Sequence, residues 1–110
     1  MNITTTEVEG ITIAAFEGNL DTNTAPDAEE RLGELLEKGV TKILVDFTTL
    51  NYISSAGLRV LLVTTKRLGG AGGSMRICGL NETVDEVFEI SGFNTIFTVF
   101  GTRDEALEGF

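Results

Sequence analysis

The chain has 110 residues, 42% of them apolar, which is enough for one hydrophobic core and too few for two. Seventeen acidic against eight basic residues give a formal charge of −9, which argues against nucleic acid as a partner. Histidine is absent, so the most common general base and neutral metal ligand are missing. Any enzyme of this composition would need unusual chemistry.

The sequence also carries no signal for export or membrane insertion. Its apolar stretches are much shorter than a membrane span, and residues 1–9 have neither a basic start nor an apolar signal core. The single cysteine, Cys78, fits a reducing compartment and is interpreted as a buried strand thiol. These features predict a cytoplasmic protein.

The first half of the chain predicts a hairpin, a helix and a buried strand. Residues 3–8 and 11–17 flank a turn at Glu9-Gly10, and apolar residues alternate in the second segment. Thr24 is predicted as the N-cap of a helix that has an early proline and continues to Gly39. Residues 42–47 (KILVDF) form a short apolar run that is typical of a central strand.

The second half alternates helix and strand. A stripe of leucines predicts a helix from Ser54-Ser55 to Gly69-Gly70. The remaining predicted elements are a strand over residues 74–78, a helix over 81–90 ending at Gly92, a strand over 95–100, and a short helix whose capping box is Thr102-x-x-Glu105.

This order of elements predicts one α/β domain over residues 1–110. Helices between successive strands require crossover connections, which produce parallel neighbours. We therefore expect a mostly parallel central sheet of four to five strands, with an antiparallel hairpin at its beginning and about four helices covering it.

The main candidate site is the pair Ser54-Ser55, which follows a buried strand and opens a helix. The free backbone donors and the dipole of a helix N-terminus favour an anionic group there, so a phosphoryl group on Ser55 would be tolerated. The simpler interpretation is that one of the serines is only an N-cap, and the spacing alone leaves both readings open.

Three segments carry a resemblance to a known family. Residues 52–61 (YISSAGLRVL) resemble the signature of the STAS family, in which a short serine loop ends in Gly-Leu and opens a helix. Residues 18–25 (GNLDTNTA) are similar to its Gly-x-Leu-Asp segment, and residues 45–47 (VDF) to its central strand. In the anti-sigma factor antagonists of this family, the phosphorylated serine lies two residues before the glycine, which corresponds to Ser55. Many antagonists have aspartate where this chain has Ser54, and a small hydroxylic residue where it has Ala56.

The resemblance implies a partner switch. The unmodified domain would bind an anti-sigma factor that is also a serine protein kinase, thereby freeing a sigma factor. The kinase would phosphorylate Ser55 with its own ATP and cause release, and a serine phosphatase would reset the switch. The domain would then be a substrate and not an enzyme, with no catalytic residue, no metal site and no cofactor of its own. The implied partner-binding residues are Asp21, Thr22, Asn23, Ser54, Ser55, Ala56, Gly57 and Arg59. Asp21 is equally well explained as a solvated turn aspartate. The alternative function is a non-phosphorylated STAS interaction module of a transporter or signalling assembly.

Two other features are interpreted as structural. The glycine-rich residues 69–73 follow a helix and precede a strand, which is the reverse of a nucleotide-binding loop. The acidic residues of the first helix are expected on a solvated face rather than in a metal site; they are Asp27, Glu29, Glu30, Glu34 and Glu37. Three phenylalanines are expected to pack in the core or a groove: Phe93, Phe97 and Phe100.

Overall fold

The computed structural model describes all 110 residues and contains one five-stranded sheet and four α-helices. The strands are β1 (Asn2–Val8), β2 (Ile11–Leu20), β3 (Lys42–Ile53), β4 (Ser74–Cys78) and β5 (Thr98–Phe100). The helices are α1 (Ala25–Glu37), α2 (Ser55–Gly70), α3 (Glu82–Ser91) and α4 (Arg103–Leu107), and a 3-10 turn spans Phe93–Thr95.

The strands lie in the sheet in the same order as in the chain. β1 and β2 are antiparallel and are joined by a tight turn in which Glu9 and Gly10 have φ of 50° and 82°. All other neighbouring strands are parallel. The predicted α/β fold with an N-terminal hairpin is therefore confirmed.

The central strand β3 is buried on both faces. Ile43, Val45 and Phe47 belong to the main core, to which α1, α2 and α3 contribute. Leu44 points into a smaller cluster on the opposite face, with Ala106 of α4. Apolar packing on both faces explains why this strand is a nearly continuous apolar run.

Two strands are longer than predicted. β2 continues past Glu17 to Leu20, and β3 continues past residue 47 to Ile53. Leu20 and Ile53 are partners in the parallel ladder, which has two irregularities before this point. Both strands therefore end at the same level, immediately before the residues of the candidate site.

The last strand is shorter than predicted. The expectation of a strand from residue 95 was wrong in its first half, because residues 93–95 form a 3-10 turn in which the Phe93 carbonyl accepts from Ile96 N and Phe97 N, both at 3.0 Å. Phe97 is buried against the Phe88 ring, with 6.3 Å between ring centroids, and this packing favours the compact turn.

Helix α4 packs on the face of the sheet opposite the main core, which we call the back of the sheet, and is attached there by charged side chains. Arg103 donates to Asp46 through Nε at 3.0 Å and Nη2 at 2.8 Å. Burial raises the pKa of Asp46, but hydrogen bonds from Thr48 and Arg103 outweigh it, so this pKa lies below its ordinary value. Burial, together with the nearby Asp46 carboxylate, raises the pKa of Cys78 to about 12. The prediction that Cys78 is a buried strand thiol is confirmed.

Candidate functional site

The candidate site lies where β2 and β3 end. The Ser54 amide donates to the Leu20 carbonyl at 2.9 Å, immediately before Asp21 begins the loop to α1. This bond places residues 21–24 beside the first turn of α2. The structure thus brings together the two segments that the sequence suggested.

The two serines have different environments. Ser54 is the N-cap of α2, and its Oγ accepts from the Gly57 amide at 3.3 Å. Ser55 is the first residue of the helix, its side chain is exposed, and its hydroxyl forms no hydrogen bond with the rest of the protein. The cap is therefore Ser54, and the hydroxyl that is free to react or to contact another molecule belongs to Ser55.

Gly57 fixes the position of the first turn of α2. A Cβ atom at this residue would lie 2.8 Å from Ile53 Cγ1, 2.8 Å from Leu20 Cγ and 2.9 Å from the Leu20 carbonyl oxygen. Gly57 is buried, so it contributes close packing rather than exposed surface. The absence of a side chain allows α2 to begin directly against the ends of β2 and β3.

Asp21 organises its own loop. One carboxylate oxygen accepts from the Asn23 amide at 2.9 Å and from the Thr24 amide at 3.2 Å. Thr24 is the N-cap residue of α1, as predicted, but its side chain forms no capping hydrogen bond with the helix: its hydroxyl instead donates to the Asn19 carbonyl at 2.8 Å. Thr22 and Asn23 are exposed at the tip of the loop, which Asp21 and Thr24 hold in place.

A groove of about 310 Å³ separates the first turns of α1 and α2. Of the predicted partner-binding residues, Thr22, Ala56 and Arg59 line it. Arg59 is exposed and forms no ion pair within 4.0 Å. Sequence reasoning missed the other lining residues because they depend on how the two helices pack: Ala25, Pro26, Glu29 and Val60.

The remaining charged residues near α1 do not form a metal site. The acidic side chains predicted on its solvated face are exposed, and nowhere in the chain do three or more potential ligands cluster closely enough to hold a metal ion. None of the four helices combines the length and apolar character that a membrane span requires.

One edge of the mostly parallel sheet thus presents a loop, a groove and an unbonded serine side by side. The family model of the STAS domain matches residues 2–106, and the chain belongs to this family. The resemblance seen in the serine loop is thereby confirmed.

Comparison with individual proteins adds detail. The chain is 39% identical over 110 residues to BtrV of Bordetella bronchiseptica, and the match covers 100% of this chain and 95% of BtrV. BtrV is provisionally assigned the role of anti-sigma factor antagonist. A Thermotoga maritima structure with the same provisional assignment superposes with a TM-score of 0.91 at 24% identity, covering 96% of this chain and 92% of that one.

A third comparison is with SpoIIAA of Bacillus, an anti-sigma factor antagonist whose structure is known in unphosphorylated and phosphorylated forms. The unphosphorylated form has a TM-score of 0.73 at 18% identity, covering 94% of this chain and 92% of SpoIIAA. The phosphorylated form has a TM-score of 0.74 at 19% identity, covering 97% of each chain. BtrV and SpoIIAA are both named as anti-sigma factor antagonists, a class of regulatory proteins rather than enzymes, and this chain is likewise not an enzyme.

Proposed function

We propose that this protein is an anti-sigma factor antagonist that acts in the cytoplasm. Its partner is an anti-sigma factor of the serine-kinase type, and phosphorylation of Ser55 by that kinase releases it. The observation that carries the proposal is the exposed, unbonded hydroxyl of Ser55 at the first position of α2. The names of BtrV and SpoIIAA support the same role.

The proposed docking surface surrounds Ser55. We define the Ser55 surface as Ser55, Thr22, Asn23, Ala56 and Arg59, which are exposed or line the groove. The other predicted residues support this surface from beneath. Ser54 caps α2, Gly57 allows its close packing, and Asp21 holds the adjacent loop.

Phosphorylation would change this surface strongly. Transfer of the γ-phosphoryl group of ATP to the Ser55 oxygen releases ADP and the hydroxyl proton, and the ATP site and the catalytic groups belong to the partner. The product carries about −1.5 to −2 charges at neutral pH. The N-terminus of α2 stabilises this anion in the free protein, whereas a closed interface would have to desolvate it. Binding is therefore weakened, and a serine phosphatase restores it.

The direct test is phosphopeptide mass spectrometry on protein isolated from its native cells. We expect phosphate on Ser55, its loss in Ser55→Ala and its retention in Ser54→Ala, because Ser54 acts only as a cap. A phosphate found only on Ser54 would move the site by one residue and contradict the assignment. Absence of phosphate during both growth and stress would reject the switch and favour an unmodified interaction module of a transporter or signalling assembly.

The partner is tested by affinity capture from the same cells. Ser55→Ala is expected to retain a protein with a serine-kinase domain, and Ser55→Asp is expected to lose it. Asn94→Asp is the matched control, because it adds the same charge at an exposed side chain of the 3-10 turn that forms no hydrogen bond. Equal capture by Ser55→Asp and Asn94→Asp would show that charge at Ser55 does not control binding.

A further inference from the structure

The chain segments next to Ser55 contain few basic side chains. The segments that follow β2, β3 and β4 are residues 21–24, residue 54 and residues 79–81, and none of them contains a basic residue. Along α2, the first basic residue after Ser55 is Arg59, and the next is Lys66. Arg59 is therefore the first basic side chain along α2 that a phosphate on Ser55 could reach, and Arg103, which follows β5, is engaged by Asp46.

The spacing of Ser55 and Arg59 suits an ion pair. Both belong to α2 and are four residues apart, which places their side chains on one face of the helix with Cβ atoms about 5–6 Å apart. The anion would precede the cation along the helix, which is the favourable order. Such a pair would form within the first turn and would require no change of the backbone.

Arg59 is free to form this pair. Its side chain is exposed and makes no hydrogen bond or ion pair in the unmodified protein. Glu29 of α1 lines the same groove, but it does not bind Arg59. The carboxylate of Asp21 is engaged by amides of its own loop. The acidic groups near the site thus leave the guanidinium available.

We propose, on the basis of the proposed function, that Arg59 is the intramolecular counter-ion of phosphorylated Ser55. In the unmodified protein, Arg59 lies in the groove, where it can contact an acidic group of the partner. After phosphorylation, its guanidinium turns to the phosphate, with which arginine forms strong paired hydrogen bonds. Phosphorylation then alters the docking surface twice, since it adds an anion at Ser55 and withdraws a cation from the groove.

Phosphorus NMR on protein with genetically encoded phosphoserine at residue 55 tests this pairing without a kinase or a partner. The second ionisation of phosphoserine, at about pH 6, is followed through its chemical shift. A neighbouring guanidinium favours the dianion, so Arg59→Gln is expected to raise the titration midpoint by about 0.3 pH units. Arg59→Lys keeps the charge and is expected to retain most of the effect.

The matched control is Arg67→Gln, which removes the same charge from the same helix. Arg67 lies in the last turn of α2, twelve residues from Ser55 and therefore about 18 Å away along the axis. Its substitution is expected to leave the midpoint unchanged. The effect of Arg59→Gln should also shrink at high salt, which screens exposed charges and would not alter a purely structural effect.

The pairing is rejected if Arg59→Gln and Arg67→Gln titrate alike while both give native amide spectra. The pairing is also rejected if Arg59→Lys shifts the titration midpoint as far as Arg59→Gln does. Because the phosphate is installed directly, these results do not depend on whether cells phosphorylate Ser55. Failure of the pairing and failure of the proposed function are therefore separate outcomes.

Discussion

The close packing of Gly57 predicts that its replacement by alanine lowers the stability of the protein. The sequence alone would predict the opposite effect. Replacing glycine by alanine inside a helix normally stabilises a protein by about 0.5–1 kcal/mol. At Gly57, however, the new Cβ would lie 2.9 Å from the Leu20 carbonyl oxygen, which belongs to the backbone of β2 and accepts the Ser54 amide. We therefore expect Gly57→Ala to destabilise the protein.

The magnitude follows from comparison with a second glycine of the same helix. Gly69 has no atom within 4 Å of the position that a Cβ would occupy, so Gly69→Ala should show the ordinary stabilisation. The gain in helix propensity is common to both substitutions and cancels in their difference. What remains is the cost of overpacking, about 1–3 kcal/mol. Gly57→Ala should be less stable than Gly69→Ala by this amount.

Urea unfolding followed by far-UV circular dichroism measures both variants against the unchanged protein. We expect a lower midpoint for Gly57→Ala, an equal or higher midpoint for Gly69→Ala, and similar slopes for all three. Amide exchange at the start of α2 should be faster in Gly57→Ala, since the Ser54–Leu20 bond has to lengthen. Equal midpoints for the two variants would refute the argument that Gly57 is needed for a close approach.

Three further predictions concern the back of the sheet. The pKa of Asp46 is lowered in the folded protein, so its carboxylate stabilises the fold above the ordinary value of 3.8. This contribution is lost as the pH falls through the lower, folded value, and urea midpoints of Asp46→Asn should show a weaker acid dependence than those of the exposed Asp27→Asn. Arg76 donates to the carbonyls of Ala106, Glu108 and Gly109, so Arg76→Met should raise amide exchange over residues 103–110, and unchanged exchange would contradict this role. Cys78 is buried with its pKa raised to about 12, so a thiol reagent should modify it only when urea unfolds the chain, and rapid labelling of the native protein would disprove its burial.

The sequence predicted the elements of the fold because each carries a local signal. β4 was placed at residues 74–78 and α2 at its observed bounds, since glycines and a serine cap delimit them. The last part of β3 was missed because residues 48–52 are mostly polar, a composition that does not predict a strand. Their strand conformation comes from pairing with β2, which is a non-local interaction.

The site was predictable in its position but not in its detailed roles. Spacing placed Ser54 and Ser55 at a helix start, yet both serines fit a cap equally well. Only the hydrogen bond from the Gly57 amide to Ser54 Oγ distinguishes them. Thr24 was correctly placed as the N-cap of α1, but its missing capping hydrogen bond was not foreseen, because the Asn19 carbonyl competes for its hydroxyl. Such competition depends on the folded loop and leaves no pattern in the sequence.

The attachment of α4 depends on an ion pair of which the sequence indicates one member but does not identify the other. An aspartate inside the apolar run KILVDF is costly to bury unless it finds a partner, so Asp46 alone indicates that a cation or several donors must reach the central strand. The partner is Arg103, which is 57 residues further along the chain, and no local pattern could select it from eight basic residues. The ion pair joins α4, which follows the edge strand β5, to the central strand β3. The buried carboxylate therefore favours one position of the C-terminal helix on the back of the sheet, opposite the face on which α2 presents Ser55.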